Sequence, residues 1–309
     1  MLTHDKYGDR NNFRPPGTNG VFKSRSCAAR RAGTGGHGRK TPAAPAAGAA
    51  GQVLKPALEK IYRDYNRREL VHPDPLEFLY RYDDIRDREI AGLVASSLAY
   101  GNVKQILRAV EAALAVPGAS PRGWLERSSP ARIDAAFSGF KYRFTEGRKL
   151  SALMRGAKAA ITDYGGLQAC YLAGPGCGLE LTRGFIRRIC ALGGDVSTLL
   201  PDPQAGSAFK RFNLYLRWLV RSDAVDPGGW KGVPASSLIV PLDTHMHHIA
   251  LKLGLTARRQ GDLKTALEIT EGFARLSPRD PVKYDFALTR FGIRDDLDYE
   301  RLSAYIKVI

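Results

Sequence analysis

The stretch Leu238–His248, LIVPLDTHMHH, puts one carboxylate and three imidazoles within six residues. Asp243 follows a proline-broken apolar run and precedes a helical pattern. That position predicts an N-cap, with the carboxylate accepting the first free backbone N–H groups. A carboxylate held there is fixed in direction and favoured by the positive end of the helix, which also suits stabilising a developing cation. His245 and His248 are three apart and share a helix face, while His247 points elsewhere. A zinc site would need further ligands, and no Cys pair or H-E-x-x-H run supplies them. The reading is therefore no metal and no cofactor, with His245 facing a polyanion groove.

A second set lies on SAFKRFNLYLRWLVR, Ser207–Arg221. Lys210, Asn213, Arg217 and Arg221 fall at i, i+3, i+7 and i+11, a continuous basic stripe opposite an apolar one. Such a stripe is either a solvated helix face or a phosphate-contacting surface. Lys210 sits in the first turn, where the positive end of a helix disfavours an ammonium. A partly buried lysine so placed suits a nucleophile. Lys231 is closer to Asp243 in sequence, but it follows DPGGW and reads as loop. A third set is the Tyr100-Gly101-Asn102 tip between two helical stretches, with Lys104 just beyond it. Asn102 reads first as a turn residue. As the second reading, Tyr100, Asn102 and Lys104 are candidate nucleic-acid contacts.

These residues need helices to position them, and the pattern from Val53 onward is helical nearly throughout. REIAGLVASSLAYGN and VKQILRAVEAALAV form a helical hairpin, burying Ile90, Leu93, Val94 and Leu98 on one arm. DTHMHHIALKLG buries Met246, Ile249, Ala250 and Leu253 and stops at Gly254. DPVKYDFALTRFG is read as a helix capped by Asp280, with Pro281 at its first position and Gly292 at its end. SSLIVPL is the one β-like run, and Pro241 cuts it short. The expected fold is all-α. GPGCG at 174–178 lacks a preceding strand and a G-K-[ST], so it reads as a turn.

Residues 1–51 are low-complexity Gly/Ala/Pro with scattered basic residues and are expected to be a disordered basic tail. Residues 52–309 make the helical domain. The chain carries a net charge of +16, and without the tail 38 Lys/Arg face 29 Asp/Glu, still +9. A basic domain suits a nucleic-acid partner. The four cysteines are scattered, which argues against a zinc ribbon or a disulfide framework and for a reducing, cytoplasmic setting. No apolar stretch approaches the roughly 20 residues of a membrane span.

Three stretches resemble the helix-hairpin-helix DNA glycosylases of the endonuclease III kind, in the same order. VPLDTHMHHIALKLG is similar to the run that carries their catalytic aspartate. EIAGLVASSLAYGNVKQI resembles the early hairpin whose polar turn enters the duplex, and DPVKYDFALTRFGI resembles the late H-x-x-L-x-x-x-G-like helix. Residues 53–309 also look like an uncharacterised bacterial family known only by a domain-of-unknown-function label. The glycosylase resemblance implies a two-lobed helical fold and a DNA partner. It further implies a monomer near the nucleoid and a target base flipped into a cleft. Asp243 matches the aspartate that stabilises the positive sugar. Lys210 is the candidate for the lysine that attacks C1′ and forms a Schiff base in bifunctional members. Its separation from Asp243 is 33 residues, longer than in endonuclease III but tolerated in archaeal 8-oxoguanine glycosylases. The family's L-P-G-V-G-R-K-T-A hairpin is not present as such. No Cys follows Cys190, so no iron–sulfur cluster is expected. Two other readings stay open: a non-catalytic nucleic-acid-binding module on the same fold, and a metal-dependent helical hydrolase using the histidines.

Overall fold

A computed structural model of the chain describes residues 47–201 and 206–307. The tail expectation for residues 1–46 lies outside the described residues. Helix α1, Ala47–Tyr65, already begins inside the segment read as tail.

The architecture is all-α, built on a central pair. Helix α2, Ile85–Ser97, is capped by Asp84, whose carboxylate accepts the Arg86 N–H at 2.9 Å. It is buried on every face from Ile90 onward. Its first turns carry two acids that serve other helices. Asp87 accepts the backbone N–H of Arg122 at 2.7 Å, at the start of α4, Pro121–Arg127. Glu89 accepts the N–H groups of Leu167 and Gln168 at 2.9 and 3.1 Å, capping α7, Leu167–Leu172, and the Trp230 indole at 3.0 Å. A carboxylate at a helix start offsets both the free donors and the positive helix end. Helix α9, Lys210–Val220, lies against α2.

On α2 pack α3, Val103–Ala115, α4 and α7, and α6, Gly147–Tyr164, packs with α4, α7, α5, Pro130–Phe137, and α8, Leu179–Gly193. A second group joins α1 to α11, Leu263–Leu276, α12, Asp285–Ile293, and α13, Tyr299–Lys307, while α10, Thr244–Lys252, packs on α12. One apolar core runs through all of them.

The helical hairpin forms as expected, with Asn102 capping α3 through the Lys104 N–H at 3.0 Å. Two expectations need correcting. Strands do occur: β1, Lys141–Tyr142, pairs antiparallel with β2, Thr145–Glu146. SSLIVPL, the run that its proline cuts short, forms no strand and begins in a short 3₁₀ turn, Ala235–Ser237. Asp280 does not cap the late helix. The Arg221 guanidinium takes its carboxylate at 2.9 Å, and α12 starts at Asp285.

Candidate functional site

The N-termini of α9 and α10 and the α2–α3 tip converge on one cleft. Two adjoining cavities there, of about 250 and 420 Å³, share Ala99, Gly101, Lys210, Asp243 and His245 in their walls. Ligand pockets run from roughly 300 to 1,000 Å³, and the two together fall in that range.

Asp243 caps α10 as the sequence predicts. Its Oδ1 accepts the Met246 N–H at 2.8 Å. Its Oδ2 lies 3.7 Å from the Lys210 Nζ, so the carboxylate is shared between helix and cleft. Lys210 is the first residue of α9, and the residue before it, Phe209, has φ 52° and ψ 27°. A bulky side chain in the left-handed region costs on the order of 1 kcal/mol or more and persists where packing demands it. The Phe209 ring is 1% exposed in the core, and that anchored turn sets Lys210 at the cleft mouth. Lys231 is exposed on a loop and lines neither cavity.

The histidines diverge. His245 reaches the cleft, with its Nδ1 3.0 Å from the Tyr299 hydroxyl. Gly292 makes room for this contact: a Cβ there would collide with the His245 ring and the Tyr299 oxygen. Burial, and then the charge of Asp243, push the Tyr299 hydroxyl above its ordinary value, so it keeps its proton and can donate to Nδ1. His247 Nε2 instead meets the Arg258 carbonyl at 2.7 Å, and His248 packs on the Tyr299 ring, centroids 4.6 Å apart. Among the described residues no group of three His, Cys, Asp or Glu is placed to hold a metal ion.

The basic stripe of α9 turns inward, which corrects its reading as a surface. Asn213, Arg217 and Arg221 are buried. Asn213 donates to the Ala208 carbonyl at 3.0 Å. Arg217 bridges Asp226 at 3.1 Å and Asp285 at 2.5 Å. Arg221 holds Asp223 and Asp280 at 2.8 and 2.9 Å and also pairs with Asp226. The physical reason is the loop after α9, where S-D-A-V-D supplies two aspartates to the helix that precedes it. This network floors the smaller cavity through Arg217, Asp285, Arg290 and Asp74. Arg290 donates to Asp74 at 2.9 Å. Arg217 Nη2 and Asp285 Oδ1 are buried there with no hydrogen-bond partner.

Of the tip residues, Asn102 is committed to its cap. Tyr100 is half-buried and donates to Thr145 Oγ1 at 2.8 Å, and the Arg211 guanidinium lies 5.1 Å from its ring. Lys104 is exposed.

Residues 74–294 match the profile of a family described as a protein of unknown function (DUF2400). The chain belongs to that family. The matched span includes the α2–α3 tip, Lys210, Asp243, His245 and the arginine–aspartate network, so the whole cleft lies inside the DUF2400 region except for Pro73 and Tyr299. No curated protein and no solved structure matches the chain. Sequence reasoning missed Asp285, Asp226 and Tyr299. Asp226 alone carried a local signal, its nearness to Arg221.

Proposed function

We propose that this DUF2400 protein is a DNA repair glycosylase, with an accompanying AP-lyase activity, that takes a flipped nucleotide into the cleft between α9 and α10. The observation that carries the reading is the Lys210–Asp243 pair at the cleft mouth, 3.7 Å apart although 33 residues separate them in sequence. Resemblance to the helix-hairpin-helix glycosylases supports it through three stretches of sequence and is not accompanied by a family match.

In this reading the Lys210 amine attacks the sugar C1′. The C1′–N bond breaks and the base leaves with the bonding electrons, taking up a proton. The fixed Asp243 carboxylate faces the positive charge that builds on the sugar. The attached amine then gives up a proton, the C1′–O4′ bond opens with the ring oxygen taking up a proton to become a hydroxyl, and the C1′=N Schiff base that results is the species from which the strand can be cut. The partner is DNA, engaged by a monomer. Among the described residues no helix is long and apolar enough to cross a membrane.

Borohydride trapping on duplexes carrying a panel of damaged bases tests the reading. Wild type is expected to give a covalent adduct with one lesion class, and Lys210→Ala none. No adduct with any lesion and no base release would end the proposal. Release without an adduct would leave a glycosylase without lyase activity. A binding module on the same fold gains some support from the absent phosphate-binding hairpin, and it predicts salt-dependent binding without product. A metal-dependent hydrolase loses its basis in the divergence of the three histidines.

A further inference from the structure

The β1–β2 hairpin is the feature the reading above leaves unused. Its two-residue turn is Arg143–Phe144. Such turns favour Asn-Gly or a glycine, because their twist calls for positive φ. Here Arg143 takes φ 49° and Phe144 stands 76% exposed. A single exposed aromatic residue is ordinary by itself. Four exposed cations stand on the hairpin and on the helix that shares a groove with it: Lys141 and Arg143 on the hairpin, the Arg143 guanidinium 5.7 Å from the Phe144 ring centroid, and Lys104 and Arg108 on α3. No ion pair among the described residues engages any of the four. Between α3 and the hairpin runs a shallow groove of about 560 Å³ that Arg108, Lys141 and Arg143 help to line.

The hairpin is also fixed to the cleft. The Tyr142 hydroxyl donates to the Tyr100 backbone carbonyl, the Tyr100 hydroxyl donates to Thr145 Oγ1 on β2, and the two tyrosine ring centroids are 4.9 Å apart. The Arg143 side chain lies against Gly101, which itself walls both cavities. Contacts therefore run without a break from Phe144 through Arg143 and the α2–α3 tip to the mouth where Lys210 meets Asp243.

We infer that the hairpin tip is a nucleic-acid contact in which Phe144 stacks on an unpaired base of a duplex, while Lys104, Arg108, Lys141 and Arg143 hold the flanking phosphates. The inference rests on the reading of the cleft as a nucleic-acid site. It assigns the duplex-probing role to β1–β2 and leaves Tyr100 and Asn102 as the frame that holds it. Aromatic rings stack on any base, and unpaired cations recognise the backbone, so the pair suits a disrupted base step.

The test uses the full chain and two labelled duplexes, one fully paired and one with a tetrahydrofuran abasic analogue opposite 2-aminopurine. Phe144→Ala is expected to weaken binding to the abasic duplex by roughly ten- to a hundredfold, with little change on the paired one. The change in 2-aminopurine fluorescence seen with wild type should be lost, and Phe144→Trp should restore it. Lys141→Glu with Arg143→Glu should weaken both duplexes and flatten their salt dependence. Because Phe144 is exposed, its replacement leaves folding intact. Wild-type behaviour of Phe144→Ala on both duplexes would overturn the inference alone, since wild-type binding would still support the cleft reading. Failure of wild type to bind either duplex would overturn both.

Discussion

Asp243 gives one oxygen to the Met246 N–H and turns the other toward Lys210. The two roles separate under substitution. Asparagine caps a helix as well as aspartate does, so Asp243→Asn should keep its stability within about 0.5 kcal/mol by urea titration. It should nonetheless lose about 10²- to 10³-fold in base release, the cost of removing a fixed electrostatic partner. Asp243→Ala should show the same loss and be less stable by about 1 kcal/mol. Equal base release by wild type and Asp243→Asn would return Asp243 to a purely structural role. The cap is legible in sequence because it depends on the three residues that follow. The ion pair is not legible, because it depends on where α9 begins, and Phe209 sets that by adopting a conformation its residue type disfavours. Asp285 extends the point to pH. Burial pushes its carboxyl up to about 6, against the pull of Arg217 and with an added push from Asp243. The folded protein then holds a proton that the unfolded chain has already lost. This group's stabilisation is fully present below its ordinary value of 3.8 and is lost as pH rises through about 6. Asp285→Asn removes that titration. Between about pH 4 and 7, wild type should therefore lose stability relative to Asp285→Asn in urea titrations as pH rises. A constant difference would place Asp285 among ordinary ionised carboxylates.

At the scale of elements, apolar periodicity finds the helices well, since Ile90, Leu93, Val94, Met246, Ile249 and Ala250 are all fully buried. The start of α12 escapes it. Asp280-Pro281 has the local form of a helix start, yet Arg221 takes the carboxylate from 59 residues away. The β hairpin escapes it too, because two-residue strands carry too little alternation to be seen. Most hidden of all is the service α2 gives to α4 and α7, since Asp87 and Glu89 look like surface charges in an otherwise apolar run. Glu89→Ala would leave three buried donors, the Leu167 and Gln168 amides and the Trp230 indole, without their acceptor. At about 1–3 kcal/mol for each buried group left unmade, a destabilisation of about 3 kcal/mol or more should follow. The urea midpoint reads it, and hydrogen exchange should show α7 opening first. A variant as stable as wild type would mean that α7 finds another cap.

The whole molecule carries a net charge of +16, and the cations among the described residues include two contrasting groups. Arg217, Arg221 and Arg290 are 2%, 4% and 1% exposed and are committed to aspartates. Lys104 and Arg108 on α3 and Lys141 and Arg143 on the hairpin stand in solvent. Composition counts both populations alike, which is why the stripe on α9 reads as a binding surface from sequence. Salt distinguishes them. Exposed charges are screened within roughly 8 Å at physiological ionic strength, while buried pairs hardly feel added ions. Arg221→Ala would leave the fully buried Asp226 with Arg217 as its remaining guanidinium and would take the guanidinium from Asp223 and Asp280, and should cost about 3–5 kcal/mol, read as a lower urea midpoint. That cost should change little between about 0.05 and 0.5 M salt. Duplex affinity should fall steeply over the same range, with a slope that drops by about one unit for each phosphate-contacting cation removed from the hairpin. If Arg221→Ala instead folds like wild type and flattens the salt slope of binding, the stripe belongs to the surface. The buried network would then not be the floor of the cleft in solution.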